Sequence, residues 1–274
     1  MFPIRDHNPS DRTPFITWAL IAINVVVFLS YFPGIGGQER LLMAFYMDWA
    51  LVPAEASQGL ELHTIITSMF LHGGWMHIIG NMLFLYIFGD NLEDQLGHLG
   101  YLLFYLASGV AAAFAQMAAD PSSTVPMVGA SGAIAGVMGG YLLLFPRARV
   151  DVALIIFVII KVITVPAWLM LGLWFGLQLV NGAASEAAGG GVAYWAHAGG
   201  FVAGVVLVLP VWLRRGGPGF WRHNHGLPPH AERFSEPPAA GAQPARYDDA
   251  PASTKVPRAG QRRVDRQSPW GGSR

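Results

Sequence analysis

Residues 129–147 read GASGAIAGVMGGYLLLFPR. From Ser131 to Phe145 no side chain is charged, and Pro146-Arg147 end the run. Gly132, Gly136 and Gly140 recur every fourth residue, a small-residue stripe that lets helix backbones approach closely inside a bilayer. The segment reads as a membrane helix, but a short one. A hydrocarbon core of about 30 Å needs roughly 20 apolar residues. The start of this helix, at Ser131, should therefore lie below the outer surface, with room above it for water.

The composition carries the same reading. The chain has 274 residues, 17 Lys+Arg against 17 Asp+Glu, a formal net charge of +0, 53% hydrophobic and 12% charged residues. Its mean hydropathy is +0.41. A soluble domain carries about 25% charged residues, so half that excludes a water-soluble globule. The lack of cysteine excludes a disulfide framework, thiolate catalysis and cysteine-ligated zinc or iron–sulfur sites. Balanced charge gives no electrostatic footprint for nucleic acid.

Working outward from the short span, five more apolar runs are expected to cross: 14–32, 63–88, 99–119, 166–180 and 193–213, with the short one at 131–145. No cleavable leader pattern precedes the first run, so it is expected to be a retained span. The fold class is an all-α polytopic membrane protein, a bundle of six transmembrane helices. Residues 150–166 are expected to lie at the interface or enter the bilayer partway. The loop 33–62, rich in Leu41, Leu42, Met43, Phe45 and Trp49, is expected to pack on the outer leaflet.

The charges fit this count. Between Pro14 and Leu213 the basic residues are Arg40, Arg147, Arg149 and Lys161. With both termini cytoplasmic, Arg5, Arg12, Arg147, Arg149, Lys161, Arg214 and Arg215 all fall on the cytoplasmic side, as the positive-inside rule asks. The expected organisation is a cytoplasmic N-terminal segment at 1–13, the six-span domain at 14–213, and a Pro/Gly/Ala/Arg-rich disordered cytoplasmic tail at 214–274. The Ala/Gly-rich composition points to a bacterial inner membrane as the location.

Polar side chains inside spans are expensive and by default mark function. Here they are His72, His77 and Asn81 in the second span, Ser131 in the fourth and His197 in the sixth. Ser131 lies 16 residues from Arg147 and His197 lies 17 from Arg214, about 24 and 25 Å of helix at about 1.5 Å per residue. His77, 13 residues from Asp90, lies about 20 Å from the same side. Three helices thus bring polar groups to one depth. Each has a plain reading: a serine bonding its own helix, a histidine bonding a neighbour, His77 and Asn81 as an interhelical clamp. Their coincidence favours chemistry. A hydroxyl, an imidazole and the free N–H groups of a helix start are the parts of nucleophilic acyl transfer. The stripe Ala196, Gly200, Gly204 can dock on Gly132, Gly136, Gly140, which would bring His197 to Ser131.

With these residues in view, the chain resembles the rhomboid family of intramembrane serine proteases. The resemblance rests on Gly129-Ala130-Ser131-Gly132, on His77-Ile78-Ile79-Gly80-Asn81, and on Ala196-His197-Ala198-Gly199-Gly200-Phe201-Val202-Ala203-Gly204, in order and across 14–213. It implies Ser131 as nucleophile and His197 as general base, without a carboxylate. It implies Asn81 and His77 as an oxyanion site with the Ser131 N–H, and His72 as part of a nearby polar network. Gly129, Gly132, Gly200 and Gly204 would be supporting residues. The implied substrates are single-span membrane proteins cut in or near their transmembrane segment, within a lipid bilayer, with no metal and no cofactor. The alternative the resemblance leaves is a non-catalytic rhomboid-like protein that binds clients for quality control. A transporter would place its polar groups at the midplane between repeated halves; no internal repeat is visible here.

Overall fold

The computed structural model describes residues 2–156, 159–186 and 193–228. Strand β1 (Phe2–Asp6) is followed by helix α1 (Phe15–Ile35), then by α2 (Glu39–Trp49), α3 (Pro53–Ala56) and α4 (Thr64–Thr67) with a 3-10 turn at Ser68–Phe70. Long helices α5 (Trp75–Leu96) and α6 (His98–Ala119) follow, then α7 (Ser131–Leu144), the strands β2 (Arg149–Ile156) and β3 (Ile159–Pro166), and the helices α8 (Ala167–Glu186), α9 (Tyr194–Arg214) and α10 (Pro218–Asn224).

Among the described residues, α1, α6, α8 (over Ala167–Ala184) and α9 are long and apolar enough to cross a membrane, and α7 is a shorter apolar helix. Helix α5 is equally long but carries His77, Asn81, Asp90 and Glu93. Together these six form the polytopic helical bundle expected from the sequence. Helix α7 is its axis: every residue from Gly132 to Tyr141 is buried, and it packs against α5, α6, α8 and α9. On the outside, Val26, Leu99, Leu103, Phe114, Leu177, Val180 and Val206 are exposed. A continuous apolar exterior of this kind suits lipid, not water.

Two segments differ from expectation, the second span and the start of the tail, and residues 150–166 take a form the sequence left open. The second span begins at Trp75 rather than near residue 63, because Gly73-Gly74 leave the helix, and 64–70 fold as two short turns instead. It also continues past Phe88 to Leu96, since its acidic end has partners. The Glu93 carboxylate, fully buried, accepts the Ile16 N–H (2.9 Å), the Thr17 N–H (2.8 Å) and the Thr17 hydroxyl (2.8 Å). Those N–H groups belong to the first turn of α1 and have no acceptor within their own helix. Glu93 on α5 is thus the cap of α1, and its negative charge sits at the favourable end of that helix dipole.

Residues 150–166, expected at the interface or partway into the bilayer with no secondary structure assigned, take a definite form. They are rich in Val and Ile, which favour strands, and build an antiparallel hairpin with Arg149 opposite Pro166 and Ile156 opposite Ile159. Strand β1, within the expected N-terminal segment 1–13, adds to its edge in the order β1-β2-β3. Asp151 ties the sheet together, accepting from Arg5 Nη2 (2.8 Å) and Thr164 Oγ1 (2.6 Å) and bonding His7 Nε2 (2.9 Å). Burial raises the Asp151 pKa, but these partners outweigh it and hold the carboxyl at about 2.

The expected disordered tail 214–274 is helical at its start. Pro218 opens α10; Trp221 Nε1 donates to the Leu143 carbonyl (3.0 Å), and its ring packs 4.8 Å from that of Trp212. The Arg147 N–H donates to the Gly226 carbonyl (2.8 Å). The Pro/Gly-rich composition hid a short helix that docks on the end of α7 through Trp221. The expectation for residues 229–274 lies outside the described residues.

Candidate active site

Ser131 is the first residue of α7. It is presented by a loop whose N–H at Gly129 donates to the Ser68 carbonyl (2.9 Å). Gly129 has φ +131°, where a side chain is strained, and a Cβ there would stand 2.9 Å from the His77 ring. Glycine at 129 therefore lets the chain turn into α7 while His77 lies directly against it.

His197 enters from α9. Its Nε2 lies 2.8 Å from Ser131 Oγ, and its Nδ1 lies 2.9 Å from Gln178 Oε1 on α8. The meeting depends on glycine. A Cβ on Gly200 would run into the carbonyl of Gly132, and one on Gly204 into the carbonyl of Gly136. The two small-residue stripes are in direct backbone contact, and this contact brings His197 beside Ser131.

His77 and Asn81 lie on α5, one turn apart. His77 Nδ1 accepts the Gly73 N–H (3.2 Å). In the neutral ring the proton is then on Nε2, the nitrogen nearest Gly129. The Asn81 side chain is buried, and its Nδ2 has no hydrogen-bond partner among the described residues. A cavity of about 230 Å³ is lined by Asn81, His77, Ser131, His197 and Trp174. A larger one, about 410 Å³, opens on the other side of Ser131 and is walled by Met69, Gly109, Pro126, Met127 and Ala196. Ser131, His77 and His197 face both. His72 is fully buried; its backbone carbonyl accepts from Tyr31 and Tyr46, and its ring lies edge-on to His77 with centroids 5.2 Å apart.

The structure thus draws Ser131, His197, His77 and Asn81 around shared space, with His72 behind His77 and Gly129, Gly132, Gly200 and Gly204 at the close contacts. Gln178 and Trp174 complete the surroundings of His197 and were not singled out in the sequence. The signal was present: Gln178 is an amide inside the apolar run 166–180, as unexpected there as the other polar groups. Among the described residues no group of three or more His, Asp or Glu side chains is placed to hold a metal ion.

Fold and site together define a polytopic helical membrane protein with a half-buried serine–histidine pair at the start of its central helix. The chain belongs to the rhomboid family: the Rhomboid domain matches residues 59–214, from the loop before α4 to the end of α9. It is 31% identical over 201 residues to Rhomboid protein 1, mitochondrial, of Saccharomyces cerevisiae, covering 70% of this chain and 51% of that one. It is 32% identical over 133 residues to Rhomboid-like protein 11, chloroplastic, of Arabidopsis thaliana, covering 48% and 42%. It is 32% identical over 131 residues to Rhomboid protease GluP of Bacillus subtilis, covering 47% and 24%. The chain thus spans about half or less of the length of each of these relatives.

Proposed function

We propose that this protein is a serine endopeptidase that cleaves single-span membrane proteins in or near their transmembrane segment. The observation that carries the reading is the 2.8 Å contact between His197 Nε2 and Ser131 Oγ at the start of a buried helix, with a cavity on either side. As Ser131 Oγ attacks the scissile carbonyl carbon, its proton passes to His197 Nε2 and the carbonyl π electrons move onto oxygen. Asn81 Nδ2, His77 Nε2–H and the N–H groups opening α7 are the donors available to that oxyanion, reinforced by the helix dipole. When the tetrahedral intermediate collapses, the C–N bond breaks and His197 returns its proton to the leaving amine. Water then attacks the acyl-enzyme with His197 again as base, releasing the carboxylate and restoring Ser131.

The membrane setting follows the same proposal. The ends bearing Arg5, Arg147, Arg149 and Arg214 face the cytoplasm, the location is a bacterial inner membrane, and the substrate's unwound helix reaches Ser131 from the opposite side. Relatives named as rhomboid proteases in Bacillus subtilis support the assignment. The test is cleavage of a generic single-span substrate by purified wild type and Ser131→Ala, with product ends read by mass spectrometry. A defined cut made by wild type alone is the expected result; an equal cut by Ser131→Ala overturns the assignment. No cut by either folded protein, together with failure of Ser131 to react with a serine-directed probe, favours the client-binding alternative.

A further inference from the structure

In the proposed chemistry His197 must present a bare Nε2 to the Ser131 hydroxyl, so its proton must be on Nδ1. A neutral imidazole has two tautomers, and its partners choose between them. The only polar side chain bonded to Nδ1 among the described residues is Gln178, through Oε1 at 2.9 Å. An amide could turn either its oxygen or its nitrogen toward a ring. Here the choice is made by its other contact: Gln178 Nε2 bonds the Trp174 carbonyl at 3.3 Å, one turn back along α8. A carbonyl only accepts, so the NH2 group must face Trp174 and the oxygen must face His197. An amide oxygen in turn only accepts, so Nδ1 carries the hydrogen.

We propose that Gln178 is the positioning residue of this site, its side-chain carbonyl holding His197 in the Nδ1–H form and aiming the Nε2 lone pair at Ser131. Two observations and the chemistry of the proton transfer converge on it. Gln178 is 8% exposed, although Leu177 and Val180 beside it are 56% and 65% exposed to the lipid side. A polar side chain on the inward face of a membrane helix is there for a partner. Trp174 flanks the imidazole at a tilt of 38°, with ring centroids 5.9 Å apart. Finally, the bond strengthens when it is needed: once His197 takes the serine proton, Nδ1–H donates from a cation and the bond becomes charge-assisted. A carboxylate would do this more strongly, but burying one in a bilayer is costly. A neutral amide supplies the acceptor without that penalty.

The proposal rests on the protease reading for its kinetic arm only; its spectroscopic arm stands without cleavage. Gln178→Met keeps length and apolar packing and loses the acceptor; Gln178→Glu keeps an acceptor at the same reach. With the single-span substrate, Gln178→Met should lower kcat about 10- to 100-fold, the scale of a misoriented catalytic group, with KM within about twofold. Gln178→Glu should recover most of that loss. In wild type labelled with 15N-histidine in detergent micelles, the His197 ring is assigned by its disappearance in His197→Ala. It should show a protonated Nδ1 and an unprotonated Nε2, and Gln178→Met should show mixed tautomers. The proposal is overturned by a wild-type ring protonated at Nε2, by an unchanged tautomer in folded Gln178→Met, or by wild-type kcat in that variant. It is equally overturned if folded Gln178→Glu loses as much as Gln178→Met. Should Gln178→Met fail to fold, the wild-type tautomer decides alone.

Discussion

Gly204 on α9 rests on the backbone carbonyl of Gly136 on α7, with no room for even a methyl group between them. The same relation holds one turn earlier between Gly200 and Gly132. These two contacts set the separation of the helices that carry Ser131 and His197. Gly204→Val should therefore destabilise the bundle by about 1–3 kcal/mol, the usual cost of overpacking, read as a lower Tm in detergent. Cleavage should fall further than the loss of folded protein explains, because spreading the helices lengthens the Ser131–His197 contact.

Asn81 Nδ2 is buried with no hydrogen-bond partner among the described residues, and in the proposed chemistry it is a donor for the oxyanion. Asn81→Ala is expected to lower kcat by about 10²–10³ or less, the range for one oxyanion donor, with little change in Tm. A Tm loss as large as the rate loss would make Asn81 a packing residue instead. Ser131→Ala and His197→Ala should reduce cleavage to background while Tm is kept.

Glu93 accepts three hydrogen bonds at the start of α1. Glu93→Ala takes the acceptor from the part-buried Ile16 N–H and the buried Thr17 N–H, at a cost of about 1–3 kcal/mol. Hydrogen exchange at those two amides should accelerate more than at the middle of α1. Uniform exchange across α1 would mean that Glu93 does not act as its cap.

Asp6 on β1 accepts from Tyr141 Oη (2.8 Å) and Asn91 Nδ2 (3.2 Å). Burial raises its pKa from 3.8 to about 7; the Tyr141 bond opposes this and the nearby Asp90 adds to it. The folded state therefore holds this proton more tightly than the unfolded chain. The stability it contributes is complete below 3.8 and is lost as pH rises through about 7. Wild-type Tm should fall between about pH 4 and about pH 7 by this contribution and level off above that, and Asp6→Asn should flatten that part of the profile. An identical slope in the two proteins would remove Asp6 from the account.

Trp221 donates to the Leu143 carbonyl in the last turn of α7 and packs at a tilt against Trp212. Trp221→Ala should lower Tm, as loss of a partly buried aromatic and one hydrogen bond does, yet leave KM unchanged, since the contact is at the far end of α7 from Ser131. A changed KM with constant Tm would place α10 in substrate handling.

Several helix boundaries were legible because apolar length and Pro/Gly stops are local properties. Helix α6 was expected from residue 99 and starts at His98; α7 starts at Ser131 as expected; α9 was expected from 193 and starts at Tyr194. The hairpin at 149–166 was not legible, because a run of Val and Ile has the hydropathy of a span and only its pairing partners make it a sheet. The extension of α5 beyond Phe88 was hidden for the converse reason. Asp90, Glu93 and Asp94 read as the end of a membrane helix until their hydrogen-bonded partners Ser10, Thr17 and Arg12 are known.

The amino-acid order by itself determined that this is a helical membrane protein, which helix is too short, and which polar residues share a depth. These follow from composition and from helix rise, which is fixed along one element. Only the tertiary structure decided what those residues touch: Gly200 on Gly132, Glu93 at the start of α1, and Gln178 on the far nitrogen of His197. Those contacts join different helices through side-chain direction and interhelical distance, and no periodicity within one helix encodes them.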